Sequence, residues 1–127
     1  MRTLLIIDDS QDDLELLKES LADVGIEGIN LIIATDGDDG LAAIEAHTPD
    51  LVLLDLNMPR MHGWAVLDEL RRRKLAVRVV VCSTSNNEED YRESIARGAR
   101  AYLAKPSDYS TMVESIRRTI AFWAIAR

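Results

Sequence analysis

The 127-residue sequence has a single cysteine and no long hydrophobic run. One cysteine excludes an intrachain disulfide, and Cys82 lies in the apolar segment 79–82, so a buried, reduced thiol is predicted. No apolar stretch approaches the roughly 20 residues of a membrane-spanning helix, so no membrane association is expected. The apolar N-terminal segment is interrupted by Asp8 and Asp9, too early for a secretory signal peptide. We therefore expect a cytoplasmic protein.

Positively charged residues are also fewer than negatively charged ones. There are 15 lysines and arginines against 22 aspartates and glutamates, which gives a formal net charge of −7. Because nucleic-acid phosphates attract a basic surface, this balance argues against direct DNA binding. The basic run Arg71 to Lys74 falls at a predicted helix end, where cations offset the helix dipole, and is interpreted as a solvated terminus. His47 and His62 lack partner ligands at metal-binding spacing and are interpreted as surface residues.

The most informative stretch is LVLLDLNMPRMHG, residues 51–63. An apolar run without polar alternation is typical of a central parallel strand that is covered on both faces. This run ends at Asp55. Ligands of open α/β sheets bind outside the carboxyl ends of the strands, so Asp55 is predicted to be displayed at a binding edge.

Apolar segments alternate with helix signals along the whole chain, and no repeat, low-complexity tract or linker interrupts them. The predicted strands are 3–8, 30–34, 51–54, 77–82 and 100–104. Helix starts are predicted after Ser10, with Asp13 in a capping box; at TDGDDG, where Thr35 and Asp38 form a second cap; near Gly63; at Asn86 and Asn87; and at Ser107 or Asp108. Such alternation predicts one α/β domain over residues 1–127, a doubly wound five-stranded parallel sheet with helices on both faces and no effector domain.

Parallel strands place their carboxyl ends at one edge of the sheet, where Asp8, Asp9, Asp55, Ser83 and Lys105 are therefore predicted to converge. Three neighbouring carboxylates repel one another unless protons or a cation neutralise them. Oxygen ligands without histidine or cysteine favour Mg²⁺ over zinc or copper. An ammonium and a hydroxyl at the same edge suit a group with several negative oxygens. A phosphoryl group is the natural candidate.

On these residues the sequence resembles the receiver domain of two-component response regulators, over essentially the whole chain. The resemblance rests on the acid pair after the first strand, DLNMPRMHG around Asp55, Ser83 after the fourth strand, and Lys105 with Pro106 after the fifth. It implies a (βα)5 flavodoxin-like sheet of order 2-1-3-4-5 in a bacterial, stand-alone response regulator that acts as a switch and not as an enzyme. The residues interpreted as structural are Pro59, Gly63 and Pro106.

The resemblance also implies how the modification takes place. Asp55 accepts a phosphoryl group from a sensor histidine kinase or a histidine phosphotransfer protein. Mg²⁺, for which Mn²⁺ can substitute, is held by Asp9, Asp55 and the backbone carbonyl of Asn57, with Asp8 acting through water. The chain is then either a terminal output regulator or an intermediate phosphorelay shuttle.

Four further residues are implied to report the modification. Lys105 pairs with one phosphoryl oxygen, and Ser83 donates a hydrogen bond to another. Serine stands here where threonine is commoner in the family, and the neighbouring Thr84 is the alternative switch hydroxyl. Tyr102 is the rotating aromatic of the fifth strand, with plain packing as the alternative. Its movement would alter the surface of the fourth helix, fifth strand and fifth helix, which contacts an unknown downstream protein.

The last helix is predicted to have apolar groups on two faces. At 100° per residue, one stripe faces the sheet: Tyr109, Met112, Val113, Ile116, Ile120 and Trp123. Phe122 and Ile125 point nearly opposite, and large apolar groups off the buried stripe indicate a contact surface. We hypothesise a homodimer or effector contact there, with fraying of the helix end as the alternative.

Two other functions fit parts of the pattern. A magnesium-dependent phosphotransferase or phosphatase with an aspartyl-phosphate intermediate also uses paired acids, but here Asn57 replaces the second carboxylate that would act as general acid. A flavodoxin-type flavin carrier shares the fold, but the first loop, DDSQDD, would repel a bare phosphate. The switch is therefore the preferred interpretation.

Overall fold

A computed structural model describes residues 2–24, 28–106 and 108–123. Strands and helices alternate throughout. The strands are β1 (Arg2–Ile7), β2 (Ile29–Ala34), β3 (Leu51–Leu54), β4 (Val79–Ser83) and β5 (Ala101–Ala104). The helices are α1 (Gln11–Val24), α2 (Gly37–His47), α3 (Gly63–Arg72), α4 (Glu88–Ala96) and α5 (Tyr109–Trp123). Within these described ranges, no helix combines the length and the apolar character needed to cross a bilayer.

The five strands form one parallel sheet of order β2-β1-β3-β4-β5. The predicted order and the central place of the Asp55 strand are therefore confirmed. All four residues of β3 are buried, as a strand covered on both faces requires. The residues of β5 are half-buried or exposed, in keeping with the edge position predicted for the fifth strand.

Alternation along the strands creates two hydrophobic cores. One face of β1 and β3 packs with α2 and α3, through residues Leu5, Ile7, Val52, Leu54, Leu41, Ile44, Val66 and Leu67. The other face packs with α1 and α5, through residues Leu4, Ile6, Leu51, Leu53, Leu14, Leu17, Met112 and Ile116. Each fully buried aliphatic side chain contributes roughly 1.5–3 kcal/mol, so the two cores hold the carboxyl ends of the central strands on a rigid platform.

Most helix starts agree with the predicted caps. Ser10 Oγ accepts a hydrogen bond from the Asp13 amide at 3.3 Å, Asn87 caps α4, and Asp108 accepts from the Thr111 amide at 3.0 Å. The prediction for α2 was wrong: Asp36, and neither Thr35 nor Asp38, is the cap and accepts from the Asp39 amide at 2.8 Å. The reason is local, because a side-chain carboxylate at the N-cap reaches the amide three residues ahead.

Two predictions about burial, for His62 and Tyr109, also need correction. His62 is half-buried and caps α3, where its Nδ1 accepts a hydrogen bond from the Trp64 amide at 3.1 Å. In α5 the predicted stripe is confirmed at Met112, Ile116 and Ile120, which are buried, and Val113 is half-buried; the Trp123 side chain lies outside the part of the chain that the structure describes. Tyr109, however, is exposed and donates its hydroxyl to Asp23 of α1. A phenol at the first turn of a helix can keep its polar end in water, so periodicity alone does not place it.

Candidate functional site

The three acids predicted to converge lie together at the carboxyl edge of the sheet. Asp8 and Asp9 follow β1, and Asp55 follows the neighbouring strand β3, whose pairing continues as the Asp55 amide donates to the Ile7 carbonyl at 2.9 Å. One carboxylate oxygen from each of the three acids lies within 4.8 Å of the others. Asp8 and Asp55 are buried, whereas Asp9 is exposed. The donors are all hard oxygens, so the site fits a cation such as Mg²⁺.

Lys105 reaches this cluster from the end of β5. Its backbone amide donates to the Ser83 carbonyl of the neighbouring strand β4 at 2.6 Å. The Nζ of Lys105 lies 2.6 Å from Asp8 Oδ2, 2.8 Å from Asp13 Oδ2 and 3.5 Å from Asp55 Oδ1. The contact with Asp13 was not predicted, since the capping-box spacing had already accounted for that residue. Its position four residues after Asp9, one helical turn on, is the only sequence signal that pointed toward it.

Burial and charge act on the ionisable groups of this site in opposite senses. Burial raises the pKa of the Asp55 carboxyl; the Lys105 charge opposes the rise, and Asp8 and Asp9 add to it. For Lys105, burial disfavours the charged form and is the largest single effect, but the hydrogen bonds to Asp13 and Asp8 and the charges of Asp55 and Asp8 together outweigh it and raise the pKa of the ammonium. One ammonium thus faces several acids, and additional positive charge would stabilise the ionised Asp55.

The loop after β4 completes the edge. Ser83 is fully buried, and its Oγ accepts a hydrogen bond from the Ser85 amide at 3.3 Å, whereas Thr84 is exposed. Tyr102 in β5 donates its hydroxyl to the Ser85 carbonyl at 2.6 Å and meets the Tyr91 ring edge-on at 6.0 Å. The start of the loop after β4 is therefore held by Ser83 at the end of that strand and by Tyr102 of β5.

The loop after β3 brings α3 against the Asp55 backbone. The Gly63 amide donates to the Leu56 carbonyl at 2.8 Å, and a Cβ at this position would lie 2.6 Å from the Asp55 carbonyl oxygen. Asn57 and Pro59 are exposed at the rim, and Pro106 is half-buried. The structural role predicted for Gly63 is thus an obligatory close approach of two backbone segments.

The predicted contact surface of the last helix falls on the Phe122 side chain and on Ile125, which lie outside the part of the chain that the structure describes. Among the described residues, exposed large apolar side chains are Tyr91 (50%) and Ile95 (37%) on α4, and Tyr109 (37%) in the first turn of α5. Sequence reasoning missed the pair on α4, although its i, i+4 spacing in a charged segment places both side chains on one helix face.

Comparison with known proteins agrees with this geometry. The profile of the response regulator receiver domain matches residues 4–117. The nitrate/nitrite response regulator NarL of Escherichia coli (strain K12) is 37% identical over 122 residues; the match covers 94% of this chain and 55% of NarL, so the chain spans about half of that relative. PilH of Pseudomonas aeruginosa is 32% identical, with 95% of this chain and 99% of PilH covered.

Solved structures agree as well. The Mn²⁺-bound form of response regulator Rcp1 has a TM-score of 0.83 and 31% identity, with 97% of this chain and 94% of Rcp1 covered. The phosphorylated cyanobacterial phytochrome response regulator RcpA has a TM-score of 0.86 and 29% identity, with 97% and 94% covered. The chain therefore belongs to the receiver-domain family of response regulators, whose setting is two-component signalling.

Proposed function

We propose that this chain is a phosphorylation-controlled switch in which Asp55 accepts a phosphoryl group from a histidine kinase or histidine phosphotransfer protein. The observation that carries the proposal is the position of Asp55: its buried carboxylate lies within 4.8 Å of carboxylate oxygens of Asp8 and Asp9 and 3.5 Å from the buried Lys105 ammonium. Family membership supplies the signalling context. We propose that the switch acts in the cytoplasm. Its net charge of −7 favours a protein partner over DNA.

The transfer is a displacement at phosphorus. A carboxylate oxygen of Asp55 forms a bond to phosphorus while the bond from phosphorus to the donor imidazole nitrogen breaks, which leaves an acyl phosphate on the protein and the electron pair on the imidazole. Asp9, Asp55 and the Asn57 carbonyl would hold Mg²⁺, with Asp8 acting through water. When bound, Mg²⁺ offsets the charge of the phosphoryl oxygens. The similar response regulator Rcp1 has been solved in a Mn²⁺-bound form, which supports a divalent cation at this site.

Two side chains would then report the modification. Lys105 is 3.5 Å from Asp55 and can pair with a phosphoryl oxygen placed there. Ser83, buried at the end of the adjacent strand β4, is better placed than exposed Thr84 to donate to a second oxygen. Contacts made only in the modified protein stabilise one conformer selectively, by about 1–3 kcal/mol in typical coupled systems.

The conformational change would be transmitted to the surface formed by α4, β5 and α5. Ser83 and Ser85 begin the loop that leads into α4, and the Tyr102 hydroxyl holds the Ser85 carbonyl. Displacement of Ser83 toward Asp55 would therefore move the loop and the Tyr102 ring together. The exposed pair Tyr91 and Ile95 offers a downstream protein an apolar contact on this face.

The proposal is tested by labelling with acetyl phosphate or a competent histidine kinase in Mg²⁺. The native protein should gain one hydroxylamine-labile phosphoryl group, and chelation with EDTA should abolish it. Asp55→Asn should gain none, whereas Asp38→Asn, which removes an exposed acid from the first turn of α2, should label as the native protein does. Undiminished labelling of Asp55→Asn, or none in the native protein, would refute the proposal.

A further inference from the structure

Asp13 makes a contact that its place in the sequence does not predict. At the third position of α1, an acid ordinarily reaches back to the amide of the N-cap residue. Here the Ser10 amide instead donates to Asp8 Oδ1 at 3.0 Å. The Asp13 carboxylate is thereby free to accept from Lys105, 92 residues away, at 2.8 Å. A residue of α1 thus shares in holding the ammonium that serves the site.

The Lys105 ammonium is largely committed to these partners. It has three N–H donors, and its two short contacts are Asp8 at 2.6 Å and Asp13 at 2.8 Å, while Asp55 is farther away at 3.5 Å. The Lys105 side chain is only 4% exposed, so water contributes little. A closer approach to a phosphoryl group on Asp55 requires the ammonium to move, and one of the two short bonds must then lengthen or break.

Burial decides which bond yields. The Asp8 side chain is 2% exposed, so without Lys105 its carboxylate would be left poorly solvated. The Asp13 side chain is 32% exposed at the start of α1, and water can replace the ammonium there. Release from Asp13 therefore costs less than release from Asp8.

We propose that Asp13 is a positioning residue that holds Lys105 back in the unmodified protein and releases it when Asp55 carries a phosphoryl group. This inference rests on the proposed function of Asp55. Asp13 then competes with the phosphoryl oxygens for a single ammonium, and its carboxylate opposes the modified conformer. Release would also free the first turn of α1 from β5, so that the modification reaches the α1 side of the domain as well as α4.

The test compares Asp13→Asn with Asp12→Asn. Asparagine keeps the size of the side chain and an acceptor oxygen, but loses the charge that strengthens the bond to the ammonium. Asp12 lies in the same turn, is exposed, and has no hydrogen bond or ion pair to the described residues, so its substitution removes an equal charge without the contact. Differences between the two variants isolate the contact from the general loss of negative charge.

The probe is beryllofluoride, an analogue of the phosphoryl group, titrated by calorimetry at saturating Mg²⁺. Asp13→Asn should bind beryllofluoride about fivefold more tightly than the native protein, the difference between a charge-assisted and a neutral hydrogen bond. Asp12→Asn should stay within about twofold of the native protein. Equal affinities of the two variants, or weaker binding by Asp13→Asn, would overturn the role of Asp13.

A second measurement requires no ligand in the variants. The ¹⁵N signal of the buried Lys105 ammonium, assigned with Lys105→Arg, should shift in the native protein when beryllofluoride is added. In ligand-free Asp13→Asn it should already lie toward that bound position, and in Asp12→Asn it should not; an unmoved signal in Asp13→Asn contradicts the inference. If the native protein itself binds no beryllofluoride in Mg²⁺, the function proposed for Asp55 fails, which is a different result from a failure confined to Asp13.

Discussion

Substitution of Gly63 by alanine should both destabilise the domain and displace Asp55, the proposed phosphoacceptor. An added Cβ would lie 2.6 Å from the Asp55 carbonyl oxygen and 2.9 Å from the Leu56 Cα. Both are backbone atoms of the segment that carries Asp55, so no rotamer change relieves the contact. Either α3 or the end of β3 must move by a few tenths of an ångström or more.

The magnitude follows from two opposed effects. Overpacking in a closely packed interior costs about 1–3 kcal/mol. Alanine in place of glycine in a helix recovers roughly 0.5–1 kcal/mol of backbone entropy. We therefore expect Gly63→Ala to lower the free energy of unfolding by about 1–2 kcal/mol. Urea denaturation followed by circular dichroism measures this value.

Gly37 supplies a matched control, because it too is the buried first residue of a helix. A Cβ at Gly37 would meet the Met61 side chain, with the nearest atom, Sδ, at 2.7 Å. The Sδ and Cγ of Met61 can turn away, but its Cβ, 2.9 Å from the added Cβ, can yield only by a small shift of the half-buried Met61. Gly37→Ala should therefore lower the unfolding free energy by about 0.5–1 kcal/mol, less than Gly63→Ala.

Function distinguishes the two variants further. Since a misplacement of about 1 Å can reduce a reaction rate by roughly 100-fold, Gly63→Ala should take up phosphoryl groups from acetyl phosphate at least about tenfold more slowly. Gly37→Ala should react at the native rate. Equal unfolding midpoints and equal labelling rates for the two variants would refute the argument from backbone contact.

Two further predictions concern groups outside the acidic site around Asp55. The pKa of His62 lies below its ordinary value of 6.5, chiefly because of burial; the Asp90 charge opposes the shift and the Arg97 charge adds to it. The neutral His62 cap therefore contributes its full stabilisation of the folded protein above the pKa of the unfolded state. That contribution is lost as the pH falls through the lower pKa of the folded state. His62→Asn should flatten the dependence of the unfolding free energy on pH below about 6.5, and an unchanged slope in His62→Asn would count against the cap. Burial raises the pKa of Cys82 to about 12, so this thiol should resist a disulfide reagent in the native protein and react once urea unfolds it; rapid reaction without urea would contradict its burial.

The central part of the site could be predicted because the sheet topology determines which residues lie together. The apolar run before Asp55 identifies a strand covered on both faces, and parallel strands bring Asp8 and Lys105 to the same edge whatever their distance in sequence. Strand order came from the family resemblance and was confirmed. The roles of Asn57 and Pro59 stay predictions, as does the contact surface at Phe122 and Ile125.

Details that depend on competition between local partners could not be predicted. Asp13 has an ordinary use in a capping box, and only the structure shows that Asp8 has taken over that hydrogen bond and left Asp13 to Lys105. The cap of α2 shifted from Thr35 and Asp38 to Asp36 for a similar reason, since several neighbouring polar residues could each satisfy the same amides.

The way α4 packs on the rest of the domain could not be predicted from hydrophobic periodicity either, because its contacts are polar. All nine residues of α4 are described, and Ser94 is the one that is buried. Its hydroxyl accepts from Trp64 Nε1 at 3.1 Å, and Arg71 donates to the Ala96 carbonyl at 3.0 Å. No apolar stripe of the kind that fixes α1 and α5 holds this helix to the sheet.

This difference determines where a small free energy can act. Displacing α1 or α5 would expose buried leucines and isoleucines at roughly 1.5–3 kcal/mol each, more than the contacts of one phosphoryl group can supply. Moving α4 exchanges a few hydrogen bonds of roughly 0.5–1.5 kcal/mol each, which water partly replaces. If Asp55 is phosphorylated as proposed, a signal of about 1–3 kcal/mol generated there would be sufficient to reposition α4 and too small to disturb the two cores.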